Sequence, residues 1–439
     1  MLLVCSCALG AFAQAKAPVI VIPGLIGSEL VNSKTGQKVW FKTRRVHTDD
    51  LRLPIGPNLS ANRDSLVPGD ILRDVKSTVF PRTDVYGGLL ASFVAGGYRE
   101  GRWDSPPARG YENTVYVFPY DWRRDNVENA RLLVRKVERL KLRLGRPNLK
   151  FNILAHSMGG LIARYAAMYG DADLPIGNAV PTWAGAKYFD KIVLLGTPNQ
   201  GSIAALKYLI NGVDMFGLQV KLPFVQNLSK FDAFTIPSAF ELLPAPGTIR
   251  AFDDEVKPIP IDLYDPAVWT KYGWNASEDK DFAKEFPATE QQVAKAYFIT
   301  VLDRAKRFHA ALSVPSGHMA PVRFEVIGGE CKDTLDGMVL GQSKDGSWVT
   351  LFKADSYVSN GGQKISSEEL KKILYAPGDG VVTRRSLLAM TLEATASRSI
   401  IDQTMPGAFV CENHDRLPGN PEVQTDVMSF FHAASKVLK

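Results

Sequence analysis

Cysteine is scarce in this chain: four residues in 439, too few for a disulfide scaffold. There is no CxxC and no HExxH, so no zinc site is indicated, and nothing else in the sequence calls for a metal or a cofactor. No internal repeat is visible, which excludes solenoids and propellers. No low-complexity tract interrupts the chain, and with 45% hydrophobic and 22% charged residues the composition is that of an ordinary globular protein. No apolar stretch approaches the roughly 20 residues a membrane helix needs. Charge of one sign is not in excess either: 52 basic against 46 acidic side chains leave a formal +6. Much of the basic surplus gathers in Arg123, Arg124, Arg131, Arg135, Lys136 and Arg139. With no groove-reading motif beside it, this cluster reads as a solvated helix face rather than a nucleic-acid site, and attraction to anionic lipid head groups stays open.

The first fifteen residues carry no charged side chain and end in Ala13-Gln14-Ala15, a small-x-small pattern that reads as a cleaved leader. Export, to the periplasm or the exterior, is the expectation, although the run is short and lacks a positive start. Cys5 and Cys7 fall inside it, leaving Cys331 and Cys411 to form one disulfide or to stay two buried thiols. Residues 16–439 read as one domain. Short, unbroken apolar runs at 18–23 and 114–118 have the character of strands buried on both faces; 149–155 and 191–196 read as further strands, 322–328 as an alternating strand and 407–411 as the last one. Asp125 caps a helix with Glu128 three residues on, and Ala130, Leu133, Val134, Val137, Leu140 and Leu144 form its apolar stripe until Gly145. The alternation predicts an α/β class with a mostly parallel sheet. Two insertions interrupt it: a lid-like segment at about 42–110 and a cap at about 199–321. The cap is rich in Phe216, Phe224, Phe231, Phe234, Phe240, Trp269 and Trp274, which suit either a greasy acyl channel or a cap core. A polar stretch at 333–371 reads as a surface hairpin or excursion.

The chemistry concentrates where the strand 151–155 runs into His156-Ser157-Met158-Gly159-Gly160 and a helical pattern follows. A serine held on so sharp a turn needs small residues two places to either side, and Ala155 and Gly159 meet that need. A serine hydroxyl also needs a base, and the base a carboxylate to fix its tautomer, in the chain order Ser, acid, His. Of the histidines after Ser157, His309 and His318 lie in or near the cap and His432 on a C-terminal helix, whereas His414 directly follows the last strand. Asp379, flanked by Gly378 and Gly380, is the carboxylate. The oxyanion of an acyl transfer needs backbone donors: Met158 N–H, and Leu25 N–H from the glycine-rich Pro23–Ser28 loop.

Taken together, Val21-Ile-Pro-Gly-Leu-Ile-Gly-Ser28, Pro119-Tyr-Asp-Trp-Arg123, Ala155-His-Ser-Met-Gly159, Gly196-Thr-Pro198, Gly378-Asp-Gly-Val-Val382 and His414 resemble the lecithin:cholesterol acyltransferase family. The resemblance runs from residue 18 to about 430. It implies an α/β-hydrolase fold with cap and lid insertions, a triad of Ser157, Asp379 and His414, and oxyanion donors at Leu25 and Met158. It further implies a phospholipid or related lipid ester as acyl donor, with peripheral contact to a membrane or lipoprotein-like surface, and places Tyr120, Asp121, Trp122 and Arg123 as framework near the acyl site. Two alternatives stand beside it: a carboxylesterase for small non-lipid esters, and a non-catalytic lipid-binding protein on the same scaffold.

Overall fold

A computed structural model describes residues 16–42, 50–75, 83–212, 228–314, 320–390 and 405–433. The expected leader, with Cys5 and Cys7, lies outside these residues, as do Phe216, Phe224 and His318.

The apolar runs form a seven-stranded sheet in which every pairing is parallel. In chain order its strands are β1 (Val19–Ile22), β2 (Arg99–Glu100), β3 (Thr114–Val117), β4 (Phe151–His156), β5 (Phe189–Leu195), β6 (Arg323–Gly329) and β7 (Met405–Val410). Their spatial order is β7-β6-β5-β4-β1-β3-β2. The helices that flank the sheet include α1 (Gly87–Ala95), α2 (Asn126–Leu144), α3 (Met158–Tyr169) and α4 (Pro421–His432). Alternation along β1 shows why both faces must be covered. Ile20 and Ile22 join a core with Leu133, Val137, Leu161 and Tyr165 of α2 and α3, whereas Val19 and Val21 join a second core with Leu90 and Phe93 of α1 and Val423 and Val427 of α4. Each such side chain, fully removed from water, contributes about 1.5–3 kcal/mol. This is the α/β-hydrolase class.

The capping signals act as expected around α2. Asp125 accepts a hydrogen bond from Glu128 N–H at 3.0 Å, and Gly145 ends the helix at φ 63°. The basic cluster divides. Arg131 and Arg135 reach toward Asp171 on a partly exposed face, but Arg123 and Arg124 are buried and do not belong to it. Arg123 pairs with Asp64 at 2.6 Å and Asp121 at 2.8 Å, and Arg124 with Glu128 at 2.6 Å. A guanidinium out of water is held only when carboxylates meet its fork, and these three supply that.

Two segments differ from their sequence reading. The stretch at about 42–110 is not all lid: α1 packs under the sheet and β2 joins it as the edge strand, pairing Arg99 with Thr114. Strands this short leave no hydrophobic signature. The 333–371 stretch is not a mere surface excursion. Met338–Gln342 lies between Ala251–Phe252 and Trp348–Leu351 in a four-stranded sheet, with Met338, Val339 and Leu340 buried. This small sheet continues the cap, whose own core includes Phe231, Phe234, Phe240, Trp269 and Trp274 packed against Tyr297 and Phe298. The described cap aromatics are thus buried against one another as a core, not as the walls of a channel. Among the described residues no helix is long and apolar enough to cross a membrane.

Candidate active site

The strand order places β1 between β3 and β4, with the chain passing first to β2 and β3 on one side and then to β4 on the other. In open α/β sheets such a switch leaves a crevice at the carboxyl ends of the strands. Two segments enter it side by side, the loop after β1 and the turn after β4.

The turn after β4 is a strained elbow. Ser157 has φ 54° and ψ −127°, a conformation that L-residues rarely adopt and that costs on the order of 1–3 kcal/mol. It is held by Ser157 N–H donating to Leu195 carbonyl at 2.8 Å, which fastens the turn to the end of β5. Glycine is demanded close by: a Cβ on Gly159 would stand 2.5 Å from the Pro23 carbonyl oxygen, and one on Gly24 would stand 2.8 Å from Ser157 Cβ. The loop after β1 therefore passes directly over the serine. The Leu25 amide follows Gly24 in that loop, and the Met158 amide opens α3, where the first N–H groups have no acceptor within the helix.

That loop is built by the Tyr120–Arg123 segment. Tyr120 O–H donates to the Pro23 carbonyl at 2.8 Å, Trp122 Nε1–H to the Ser28 carbonyl at 3.2 Å, and Trp40 Nε1–H to the Ile26 carbonyl at 2.9 Å. Arg123 locks the segment from behind through Asp64, Asp121 and the Leu51 carbonyl. Side chains read only as framework thus hold the backbone that faces Ser157.

His414 and Asp379 come to the same place from the far side of the sheet. His414 Nε2 accepts from Ser157 Oγ–H at 2.8 Å, and His414 Nδ1–H donates to Asp379 Oδ2 at 2.7 Å. The other carboxylate oxygen takes the amides of Val381 at 3.0 Å and Val382 at 2.7 Å. His414 N–H donates to the Asp379 carbonyl at 2.9 Å, so the base and its carboxylate are also tied through the backbone. Burial alone would raise the carboxyl pKa, yet the His414 charge and these hydrogen bonds outweigh it and hold Asp379 below the usual carboxylate range. For His414 burial pulls down, but Asp379 prevails and lifts the imidazole above 6.5. Cys331, after β6, and Cys411, after β7, are joined by a disulfide with 5.1 Å between Cα atoms, three residues ahead of His414.

All three sequence-predicted side chains converge, and both predicted amide-bearing segments flank them. His309 is buried under the cap, and His432 stacks on Tyr98 at the end of α4. Among the described residues no group of three or more His, Cys, Asp or Glu side chains could hold a metal. The sequence reading missed Tyr86 and His156, which lie behind the serine; an imidazole immediately before the nucleophile was the available signal. The arrangement can deprotonate a hydroxyl, hold the resulting imidazolium against a carboxylate, and present amides to a developing oxyanion.

Comparison with known proteins finds distant structural likenesses and one family match. The Tle4 component's complex with Tli4 gives a solved structure 14% identical, with 96% of this chain and 99% of that one covered at a TM-score of 0.49. Lipase 1 from Pelosinus fermentans is 11% identical, covering 97% and 100%, with a TM-score of 0.35. Phospholipase PlaB from Legionella pneumophila is 12% identical, covering 96% of this chain and 61% of that one, with a TM-score of 0.30. Likenesses this distant carry nothing about chemistry. No curated protein sequence gives a significant match. The model of the lecithin:cholesterol acyltransferase family matches residues 107–278, the span that holds the Tyr120–Arg123 segment, the Ser157 elbow and the first part of the cap. Over that span the chain is similar to the lecithin:cholesterol acyltransferase family.

Proposed function

We propose that the protein is a serine-dependent lipid ester hydrolase or O-acyltransferase working through an acyl-enzyme. The observation that carries this reading is the continuous relay from Ser157 Oγ through His414 to Asp379, at 2.8 and 2.7 Å, beside a loop whose backbone at Gly24 packs closely on the serine. Ser157 Oγ attacks the ester carbonyl while its proton passes to His414 Nε2, and Asp379 stabilises the imidazolium. The Leu25 and Met158 amides meet the oxyanion, each such donor being worth about 3–4 kcal/mol of barrier. His414 then returns the proton to the departing alcohol oxygen, leaving the acyl group on Ser157. Water or an acceptor alcohol, deprotonated by His414, takes the acyl group and restores the serine. Hydrolysis and transfer differ only in that second step.

The family match supports a phospholipid or related lipid ester as donor. The Cys331–Cys411 bridge supports an oxidising compartment, in keeping with export. The test is product analysis with phosphatidylcholine labelled in its acyl chains, with and without a long-chain alcohol. Lysophospholipid should appear with the wild type and not with Ser157→Ala, and an alcohol ester should appear in addition if the second step is transfer. Cleavage of short soluble esters without any release from phosphatidylcholine would exclude the lipid donor, and no turnover of either would end the enzymatic reading.

A further inference from the structure

Behind the serine lies a second chain of hydrogen bonds that the acyl-enzyme chemistry does not use. Tyr86, the residue before α1, is buried, and its hydroxyl lies 2.9 Å from Gly24 N and 2.7 Å from His156 Nδ1. The other nitrogen of that ring, Nε2, lies 3.0 Å from the His414 carbonyl oxygen. The rings of His156 and His414 sit with centroids 4.9 Å apart.

The polarity of every bond in this chain is determined. A carbonyl oxygen only accepts, so His156 Nε2 carries the hydrogen. Burial first, and the neighbouring His414 second, push the His156 pKa down to about 3, so the ring is neutral at working pH and Nδ1 is an acceptor. Tyr86 must then donate its hydroxyl hydrogen to Nδ1, which leaves its oxygen to accept from Gly24 N–H. Burial raises the phenol far above its usual range, so it keeps that hydrogen. The chain runs from Gly24 N–H to Tyr86 O–H to His156 and on to the His414 carbonyl, with no unmet donor along it.

Its two ends are the significant points. Gly24 immediately precedes the Leu25 amide, His414 is the base, and His156 is the chain neighbour of Ser157. We propose that Tyr86 and His156 are positioning residues, a fixed relay that ties the oxyanion loop and the His414 backbone to the elbow between them. The three moving parts of an acyl transfer are thereby set by one buried strut. This assignment rests on the acyl-enzyme reading of Ser157. It also explains why α1, far from Ser157 in sequence, is packed beneath the crevice.

The experiment measures kcat and KM on a soluble p-nitrophenyl ester for wild type, Tyr86→Phe, His156→Gln and the double variant, with near-UV circular dichroism to confirm the fold. Tyr86→Phe keeps the ring and removes the hydroxyl, and with it the bonds to Gly24 N–H and to His156 Nδ1; His156→Gln can still donate to the His414 carbonyl but has no acceptor at the place of Nδ1. Each should lower kcat by about 10- to 100-fold, as expected for small displacements of reacting groups, with KM changed by no more than about twofold. The double variant should fall little further than the worse single one, because both changes break the same relay. Folded single variants that turn over at the wild-type kcat, or losses that multiply in the double variant, would overturn the proposal. Should Tyr86→Phe fail to fold, His156→Gln decides alone, on the same criterion. A wild type without turnover overturns the acyl-enzyme reading and this one with it, so the two failures are told apart by the wild-type assay.

Discussion

Removing the bond between Cys331 and Cys411 separates stability from catalysis in this protein. The bridge closes a loop of 80 residues between the end of β6 and the end of β7. In the chain-entropy model a loop of that length withholds about 15 cal/mol/K from the unfolded chain, or about 4.5 kcal/mol at 25 °C. The native state loses little else, because His414 remains held by its own N–H on the Asp379 carbonyl, by its ring on Asp379 and by His156 on its carbonyl. The Cys331→Ala, Cys411→Ala double variant should therefore unfold with a free energy about 4 kcal/mol lower, within the roughly 2–5 kcal/mol seen when native bridges are removed. Its turnover while folded should stay close to that of the wild type. Equilibrium urea unfolding of both proteins, followed by fluorescence and extrapolated with a shared slope, measures the first; ester hydrolysis in buffer measures the second. A difference under about 1 kcal/mol would refute the entropic reasoning. So would an intact mass showing two free thiols in protein purified under oxidising conditions.

Other changes test other parts of the site. Asp379→Asn removes the charge that lifts the His414 pKa and disrupts its tautomer, so kcat should fall by about 10⁴-fold, read from steady-state hydrolysis. In the wild type the base works only when neutral, so kcat/KM should decline as pH drops through the raised His414 pKa, with its half-point above 6.5; a half-point well below that value would contradict the ion pair. Gly24→Ala puts a methyl 2.8 Å from Ser157 Cβ, forcing the oxyanion loop outward; activity should drop by about 100-fold or more in a protein that still melts cooperatively. Arg123→Met leaves Asp121 and Asp64 without their guanidinium and should cost about 3–5 kcal/mol in urea unfolding, with the loop they brace loosened as well.

The strands of the central sheet other than β2 were legible because they are short, largely apolar runs between turn signals, and α2 because its cap, stripe and terminal glycine agree. Ser157 was legible because the steric demand of the elbow is written in Ala155 and Gly159. Asp379 and His414 followed from chain order and from their places after strands. What the sequence hid was held by long-range pairing. β2 is two residues long and earns its place only by bonding to β3, and the short apolar Met338–Leu340 is masked by the polar 333–371 stretch around it until the cap strand beside it is seen. Arg123 and Arg124 looked like members of a solvated face because the partners that bury them, Asp64 for Arg123 and the Asn62 carbonyl for Arg124, are far off in sequence. Tyr86 is separated from His156 by 70 residues, and no local pattern announces that its hydroxyl ends beside the elbow. The cap aromatics carried composition without direction, and only their mutual packing distinguishes a core from a channel.

The central claim is that Ser157 is the nucleophile, activated by His414. The most direct measurement is intact-mass and peptide-mass analysis after incubation with a fluorophosphonate ester. The account predicts a single adduct per chain, located on Ser157, absent from Ser157→Ala and formed far more slowly by His414→Ala. An unlabelled wild type, or an adduct that persists in Ser157→Ala, would contradict it.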